Sequence, residues 1–343
     1  MDILVDTAIF SNIDELEKFT YIARNMGCRV VESSIVKTLT IDNFIHTYGL
    51  SRNNTFVYGS IKFARQLYKM HSLKGNLMRA RMPSHPMSHP INSFHSFHMN
   101  FACPQDDLYS YTSLLRWKSF SKLQPYILNS DALYFFRKKI AEPDLSESTI
   151  IQWYELNQEH NKGDSMLSLS GIAYHMSNIQ RLLDTPAFKL IHNSPESEIF
   201  MKPDLPYKIK DARVTTTTDF IYDLTDMLSL CTGVIVAAAK PITHEIRTVI
   251  YEGKIITASY YIIDGEIDYC AIDMDDPILN ILSPMVALIT EQQNINVPVV
   301  LDFCLSNGEW KILELNCLST SGLYECDYAE VIWVMKEYLR NGV

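Results

Sequence analysis

The chain has 343 residues, with 30 Lys+Arg against 40 Asp+Glu for a formal net charge of −10, and it is 47% hydrophobic and 20% charged. That composition excludes a disordered or collagen-like chain, and the length predicts about two domains. The acidic balance speaks against a protein that coats nucleic acid through a general basic field, while leaving room for a local basic groove. The seven cysteines (Cys28, Cys103, Cys231, Cys270, Cys304, Cys317, Cys326) include no C-x-x-C pair. They are therefore read as reduced thiols, with a cytoplasmic location expected. The N-terminus lacks a basic region followed by an apolar run, so no signal peptide is expected. No apolar stretch is long enough to predict a membrane span.

In chain order, residues 2–6 read as a strand ending at Asp6, residues 13–26 as a helix capped by Asn12 or Asp14, and residues 28–31 as a second strand. Residues 55–60 read as a third strand ending in Gly59-Ser60, before a helical segment over 61–71. Strand and helix alternate here, which predicts a small α/β domain with a parallel sheet. Residues 72–100 carry Pro83, Pro86 and Pro90, and the segment holds or borders His71, His85, His89, His95 and His98. A metal site is one reading. A Pro-rich connection is preferred, because no His pair falls at i,i+4 on an assignable helix and Cys103 has no partner cysteine. Residues 107–140 look helical, with core aromatics Tyr109, Tyr111, Trp117, Phe120, Tyr126 and Tyr134. Residues 141–195 are mixed, with a turn at 161–164.

Beyond residue 196 the pattern is strand-rich. Strands are predicted over 198–202 and 234–238, with a helix over 219–230 between them. Strands over 245–250 and 254–262 are joined at Glu252-Gly253. A helix follows over 277–292, then a hairpin of 297–305 and 310–315 around Asn307-Gly308, and a final helix over 328–339.

The second hairpin interrupts two apolar strands with Asp302, Glu314 and Asn316. Burying two carboxylates unpartnered is costly, and a hard divalent cation such as Mg²⁺ would resolve it with oxygen ligands of this kind. Glu314 and Asn316 are i,i+2 and share a face. A strict two-residue turn would pair Asp302 with Leu313 and put Asp302 on the other face. A three-residue loop over 307–309 would pair it with Glu314. The metal reading therefore requires a bulged or three-residue turn. The alternative places Asp302 at a strand edge and Glu314 in solvent. In the other hairpin Glu245 and Arg247 share a face, and Arg is a planar donor suited to phosphate. Lys202, Lys208 and Lys210 add point charges near a strand end.

These stretches resemble the ATP-grasp superfamily, and within it the clade described by one arginine and two lysines. The matching residues are Phe200-Met201-Lys202-Pro203-Asp204 with Lys208, then His244-Glu245-Ile246-Arg247 through Gly253-Lys254-Ile255-Ile256. They continue with Val300-Leu301-Asp302, Ile312-Leu313-Glu314-Leu315-Asn316 and Ser321-Gly322-Leu323-Tyr324. The resemblance implies an α/β (α+β) fold: a pre-ATP-grasp domain over 1–110, then a two-lobed ATP-grasp domain with antiparallel sheets over 111–343. The hinge would lie near 234–242. It further implies that Lys202 and Lys208 contact ATP phosphates and that the backbone near Lys240 and Ile242 binds adenine. Arg247 would stabilise the γ-phosphate or an acyl-phosphate, and Asp302, Glu314 and Asn316 would hold Mg²⁺. The implied activity is ATP- and Mg²⁺-dependent ligation of a small-molecule or peptide carboxylate to an amine. A nucleotide-binding pseudoenzyme or sensor, and an ATP-dependent phosphotransferase, remain as alternatives.

Overall fold

The computed structural model describes residues 1–33, 49–50, 54–60, 63, 122–129, 133–138, 150–155, 197–203, 212–220, 223–224, 227, 233–293 and 295–341. The segment 71–98, Cys103, Cys231, the turn at 161–164, Lys208 and Lys210 lie outside them. The chain divides into two compact units, residues 1–105 with 242–343, and residues 106–241.

The first unit opens with β1 (Asp2–Asp6), whose Ile3, Leu4 and Val5 are fully buried. Helix α1 (Ile13–Asn25) follows. Its start is fixed by Asn12, whose Oδ1 accepts from Glu15 N at 2.9 Å, while Glu15 Oε2 accepts from Ser11 N at 2.6 Å. This reciprocal arrangement satisfies donors that a helix start leaves open. Leu16, Phe19, Thr20 and Ala23 form its buried stripe. Strands β2 (Arg29–Ser33) and β3 (Thr55–Tyr58) flank β1 in parallel, in the order β2-β1-β3.

The same unit holds a five-stranded antiparallel sheet. Its strands are β9 (His244–Tyr251), β10 (Lys254–Ile263), β11 (Glu266–Ile272), β12 (Val299–Ser306) and β13 (Glu309–Cys317), in the order β11-β10-β9-β12-β13. Three two-residue turns join its hairpins, and each has φ > 0 at both positions: Glu252-Gly253 (50°, 74°), Asp264-Gly265 (53°, 84°) and Asn307-Gly308 (52°, 79°). Such turns match the twist of paired strands. Helix α2 (Pro277–Gln293) precedes β12, and α3 (Tyr328–Arg340) closes the chain. Helix α3 packs on α1: Tyr328 Oη donates to Glu15 Oε1 at 2.7 Å, Lys336 Nζ donates to Met26 O at 2.9 Å, and the Tyr328 ring meets Phe19 edge-on at 5.5 Å.

The second unit contains β4 (Leu133–Lys138), β5 (Ile150–Glu155), β6 (Glu198–Pro203), β7 (Arg213–Thr216) and β8 (Gly233–Ala238), antiparallel in the order β5-β4-β8-β6-β7. Here the helical reading of 107–140 is corrected over its described residues, 122–129 and 133–138; residues 107–121 lie outside them. Residues 122–129 form turns with a short 3-10 segment (Gln124–Tyr126), and Leu133–Lys138 is the strand β4, paired with β5 and β8. Its Leu-Tyr-Phe-Phe run suits a pleated surface, and pairing on both sides decides against a helix.

Among the described residues no helix is long and apolar enough to cross a membrane. Five cysteines fall within these residues, and all five are free thiols.

Candidate active site

One face of the antiparallel sheet in the first unit carries a stripe of polar side chains. Arg247 on β9 pairs directly with Asp302 on β12, and Asp302 pairs with Glu314 on β13. The Asn307-Gly308 turn has two residues, with Ser306 opposite Glu309, so a regular ladder would leave Asp302 opposite Leu313. A bulge intervenes: Phe303 faces Ile312, Asp302 faces Glu314, and Leu313 is the extra residue. The bulge lies within the strand rather than at the turn. It puts Asp302, Glu314 and Asn316 on one face.

The contacts are close. Arg247 Nε donates to Asp302 Oδ1 at 2.8 Å and Nη2 donates to Oδ2 at 2.7 Å, a bidentate pair. Arg247 Nη1 donates to Gly322 O at 2.7 Å. Asn316 Nδ2 donates to Asp302 Oδ2 at 3.2 Å and to Glu314 Oε1 at 2.7 Å. Asp302 is 0% exposed and Arg247 8%. Burial opposes the Arg247 charge, but the Asp302 carboxylate more than offsets it and holds the guanidinium charged. Burial pushes the Glu314 carboxyl above its ordinary value, with the Asn316 amide pulling the other way. Glu245 is likewise raised by burial, opposed by the hydroxyl of Tyr261.

The segment after β13 closes over this stripe and is tied to the parallel sheet. Tyr58 Oη donates to Ser321 O at 2.9 Å and Gly59 N donates to Ser319 O at 2.9 Å. Gly59 admits no side chain: a Cβ there would stand 2.6 Å from Asp6 Cβ and 2.7 Å from Phe63 Cδ1.

Among the described residues no three of His, Cys, Asp and Glu are grouped to hold a metal ion. The donor set of two carboxylates and Asn316 still suits a hard cation, and the desolvated Glu314 carboxyl is a group that a cation would relieve.

The other candidate residues lie elsewhere in the chain. Lys202 is half-buried on β6, opposite Ile235 of β8. Lys240 Nζ donates to Ala238 O at 3.0 Å and to Asn129 Oδ1 at 3.4 Å within the second unit. Ile242 is the first residue of the returning first unit. Three participants carried no role in the sequence reading: the Gly322 carbonyl and the rings of Tyr261 and Tyr324 beside Arg247. Gly322 and Tyr324 fall in the Ser321–Tyr324 stretch that the resemblance had singled out.

Residues 171–335 match a family model for an ATP-grasp domain, that of family 3 in the clade named for one arginine and two lysines. By that match residues 171–335 are an ATP-grasp domain. The fold of the chain is that of solved ATP-grasp proteins. D-cycloserine synthetase DcsG superposes with a TM-score of 0.57 at 11% identity, over 98% of this chain and 99% of that one. The D-alanine–D-alanine ligase from Bacillus anthracis complexed with ATP gives 0.49 at 11% identity, over 99% and 98%. The ATP-grasp ligase PsnB complexed with minimal precursor gives 0.48 at 12% identity, over 100% and 99%. At 11% identity the likeness to D-cycloserine synthetase is one of fold. No curated protein matches the sequence.

Proposed function

We propose that the protein is an ATP- and Mg²⁺-dependent carboxylate–amine ligase. The observation that carries this reading is the assembly of Arg247, Asp302, Asn316 and Glu314 on one sheet face by the Leu313 bulge, inside an ATP-grasp domain. The substrate carboxylate would attack the γ-phosphorus of ATP and release ADP. An amine would then attack the acyl carbon, phosphate would leave, and an amide would remain. Such chemistry asks a protein mainly for positioning and charge neutralisation.

In this reading Asp302, Glu314 and Asn316 would hold Mg²⁺, which supplies positive charge at the phosphate oxygens. Three N–H groups of Arg247 donate to Asp302 and Gly322, and a guanidinium has five. The remaining donors suit the γ-phosphate or the acyl-phosphate. Lys202 and Lys208 serve the phosphates, and the backbone near Lys240 and Ile242 serves adenine. Residues 1–110 serve as the pre-ATP-grasp domain and 111–343 as the ATP-grasp domain, hinged over 234–242.

The test is thermal stability with and without Mg²⁺·ATP, followed by ADP release with panels of carboxylates and amines. Ligand at a hundredfold excess over Kd should stabilise the wild type by about 2.7 kcal/mol. Glu314→Ala should abolish the Mg²⁺-dependent part. No stabilisation at millimolar ATP, or ADP release that no carboxylate–amine pair stimulates, would refute a ligase. A second reading, a nucleotide-binding module without turnover, is favoured by one observation: both Asp302 oxygens already accept from Arg247. It expects ATP binding with no ADP formed.

A further inference from the structure

Four non-glycine residues have φ > 0 among the described residues. Glu252, Asp264 and Asn307 each open a two-residue hairpin turn ahead of a glycine, where the turn type demands it. The fourth, Tyr324 at φ 54°, belongs to no hairpin. A bulky residue in this region is strained, and such strain persists only where neighbouring contacts over-determine it. Here they do. Gly322 O accepts from Arg247, Cys326 N donates to Leu323 O at 3.0 Å, Glu325 N to Ser259 Oγ at 3.3 Å, and Asp327 N to Thr257 Oγ1 at 2.8 Å.

What the strained backbone achieves is the placement of a ring. Tyr324 stacks on Tyr261 at 4.9 Å and 14° and on Tyr269 at 5.1 Å and 16°. The Arg247 Cζ lies 4.7 Å from the Tyr324 centroid and 5.5 Å from that of Tyr261, inside cation–π range. Tyr261 is itself held by its hydroxyl on Glu245. Asp302 and the Gly322 carbonyl thus fix the edges of the guanidinium, and the stacked rings fix its face. The three edge bonds hold the guanidinium at its rim, and the rings across its face resist tilting of the plane and of the N–H groups not engaged by protein.

We propose that Tyr324 is a positioning residue for Arg247, holding the guanidinium plane so that its remaining donors meet the terminal phosphoryl group. This rests on the nucleotide-binding reading above and adds to it a specificity element: discrimination of a nucleoside triphosphate from the diphosphate. Tyr261 and Tyr269 support the ring.

The experiment measures Kd for Mg²⁺·ATP and Mg²⁺·ADP by calorimetry on the full chain and on Tyr324→Phe, Tyr324→Asn and Tyr324→Gly. Asn and Gly accept positive φ, so both remove the ring without adding backbone strain, and two variants guard against one that folds poorly. Wild type should prefer ATP. Asn and Gly should lose about tenfold of that preference, the scale of a desolvated cation–π contact, with ADP affinity held within about twofold. Phe keeps the face and should keep the preference. Retention of the full preference in Asn and Gly would overturn the proposal and leave the nucleotide reading intact. So would a wild type that binds ATP and ADP equally. A wild type that binds neither would overturn the nucleotide reading and this proposal with it.

Discussion

Replacing Asp302 with Asn keeps the side-chain volume and removes one charge from a pair buried on both sides. Asp302 is 0% exposed, Arg247 is 8% exposed, and the two bidentate bonds are 2.8 and 2.7 Å. The variant leaves the guanidinium with a neutral amide, the Gly322 carbonyl and two tyrosine faces. Breaking one side of such a pair costs about 3–5 kcal/mol, because a desolvated charge is left behind. For a unit of about 200 residues, each kcal/mol moves Tm by about 2–4 °C, so a fall of about 6–20 °C is expected at neutral pH without nucleotide. Arg247→Met should cost a similar amount by stranding Asp302. The double variant Arg247→Met with Asp302→Leu should sit well above either single one, because replacing both charges by apolar groups is often nearly neutral. Urea titration of all four proteins gives the cycle and its coupling energy. A loss below about 1 kcal/mol for Asp302→Asn, or a double variant no better than the singles, would refute the description of this pair as desolvated and mutually dependent.

Gly59→Ala should destabilise by about 1–3 kcal/mol, the usual cost of overpacking, since its Cβ would meet Asp6 Cβ at 2.6 Å; an unchanged urea midpoint would contradict this. Tyr328→Phe removes the bond to Glu15 between α1 and α3 and should cost about 1 kcal/mol by the same titration. Glu245→Gln tests the sign of a buried carboxyl. Burial raises Glu245 above its ordinary value, so the folded protein holds that proton more firmly than the unfolded chain does. Its contribution is therefore present below the ordinary carboxylate range and lost as pH rises through the raised value. The Gln variant, which still accepts from Tyr261, should gain on the wild type in melts taken from pH 4 to pH 7. A pH-independent difference would show that Glu245 is not shifted.

The hairpins at Glu252-Gly253 and Asn307-Gly308 are readable in the sequence, because φ > 0 at two successive positions admits few residue pairs. Asp264-Gly265 carries the same mark, but the strand that follows it, β11, lacks a buried face. Six of its seven residues are exposed, so no apolar alternation announces a strand. The conflict of faces between Asp302 and Glu314 can be counted along the chain. The place of the extra residue cannot, since a one-residue slip at the turn and a bulge at Leu313 give the same pairing. The Arg247–Asp302 pair joins residues 55 apart and depends on β9 lying beside β12, a non-local choice that no local pattern specifies. The aromatic run in β4 fails as a helix for the same reason: pairing with β5 and β8 outweighs spacing along the chain.

Assigning Asp302 both to Arg247 and to a cation is consistent on lone-pair grounds. A carboxylate offers about four acceptor positions. Arg247 uses two and the Asn316 amide a third, which leaves about one for an oxygen-seeking cation. Monodentate coordination from a deeply buried carboxylate is enough when Glu314 and Asn316 contribute to the same face. The Arg247 charge already compensates Asp302, so a cation arriving there meets a face with little more than the Glu314 charge in excess. In the proposed reading such a face would hold Mg²⁺ weakly by itself, because that ion gives up its waters reluctantly and needs more negative charge. Phosphate oxygens would supply it. The geometry therefore expects Mg²⁺ alone to leave the melting temperature almost unchanged, and Mg²⁺ with ATP to raise it by more than ATP alone plus Mg²⁺ alone. A large shift from Mg²⁺ alone would mean that Arg247 releases Asp302 when the cation binds.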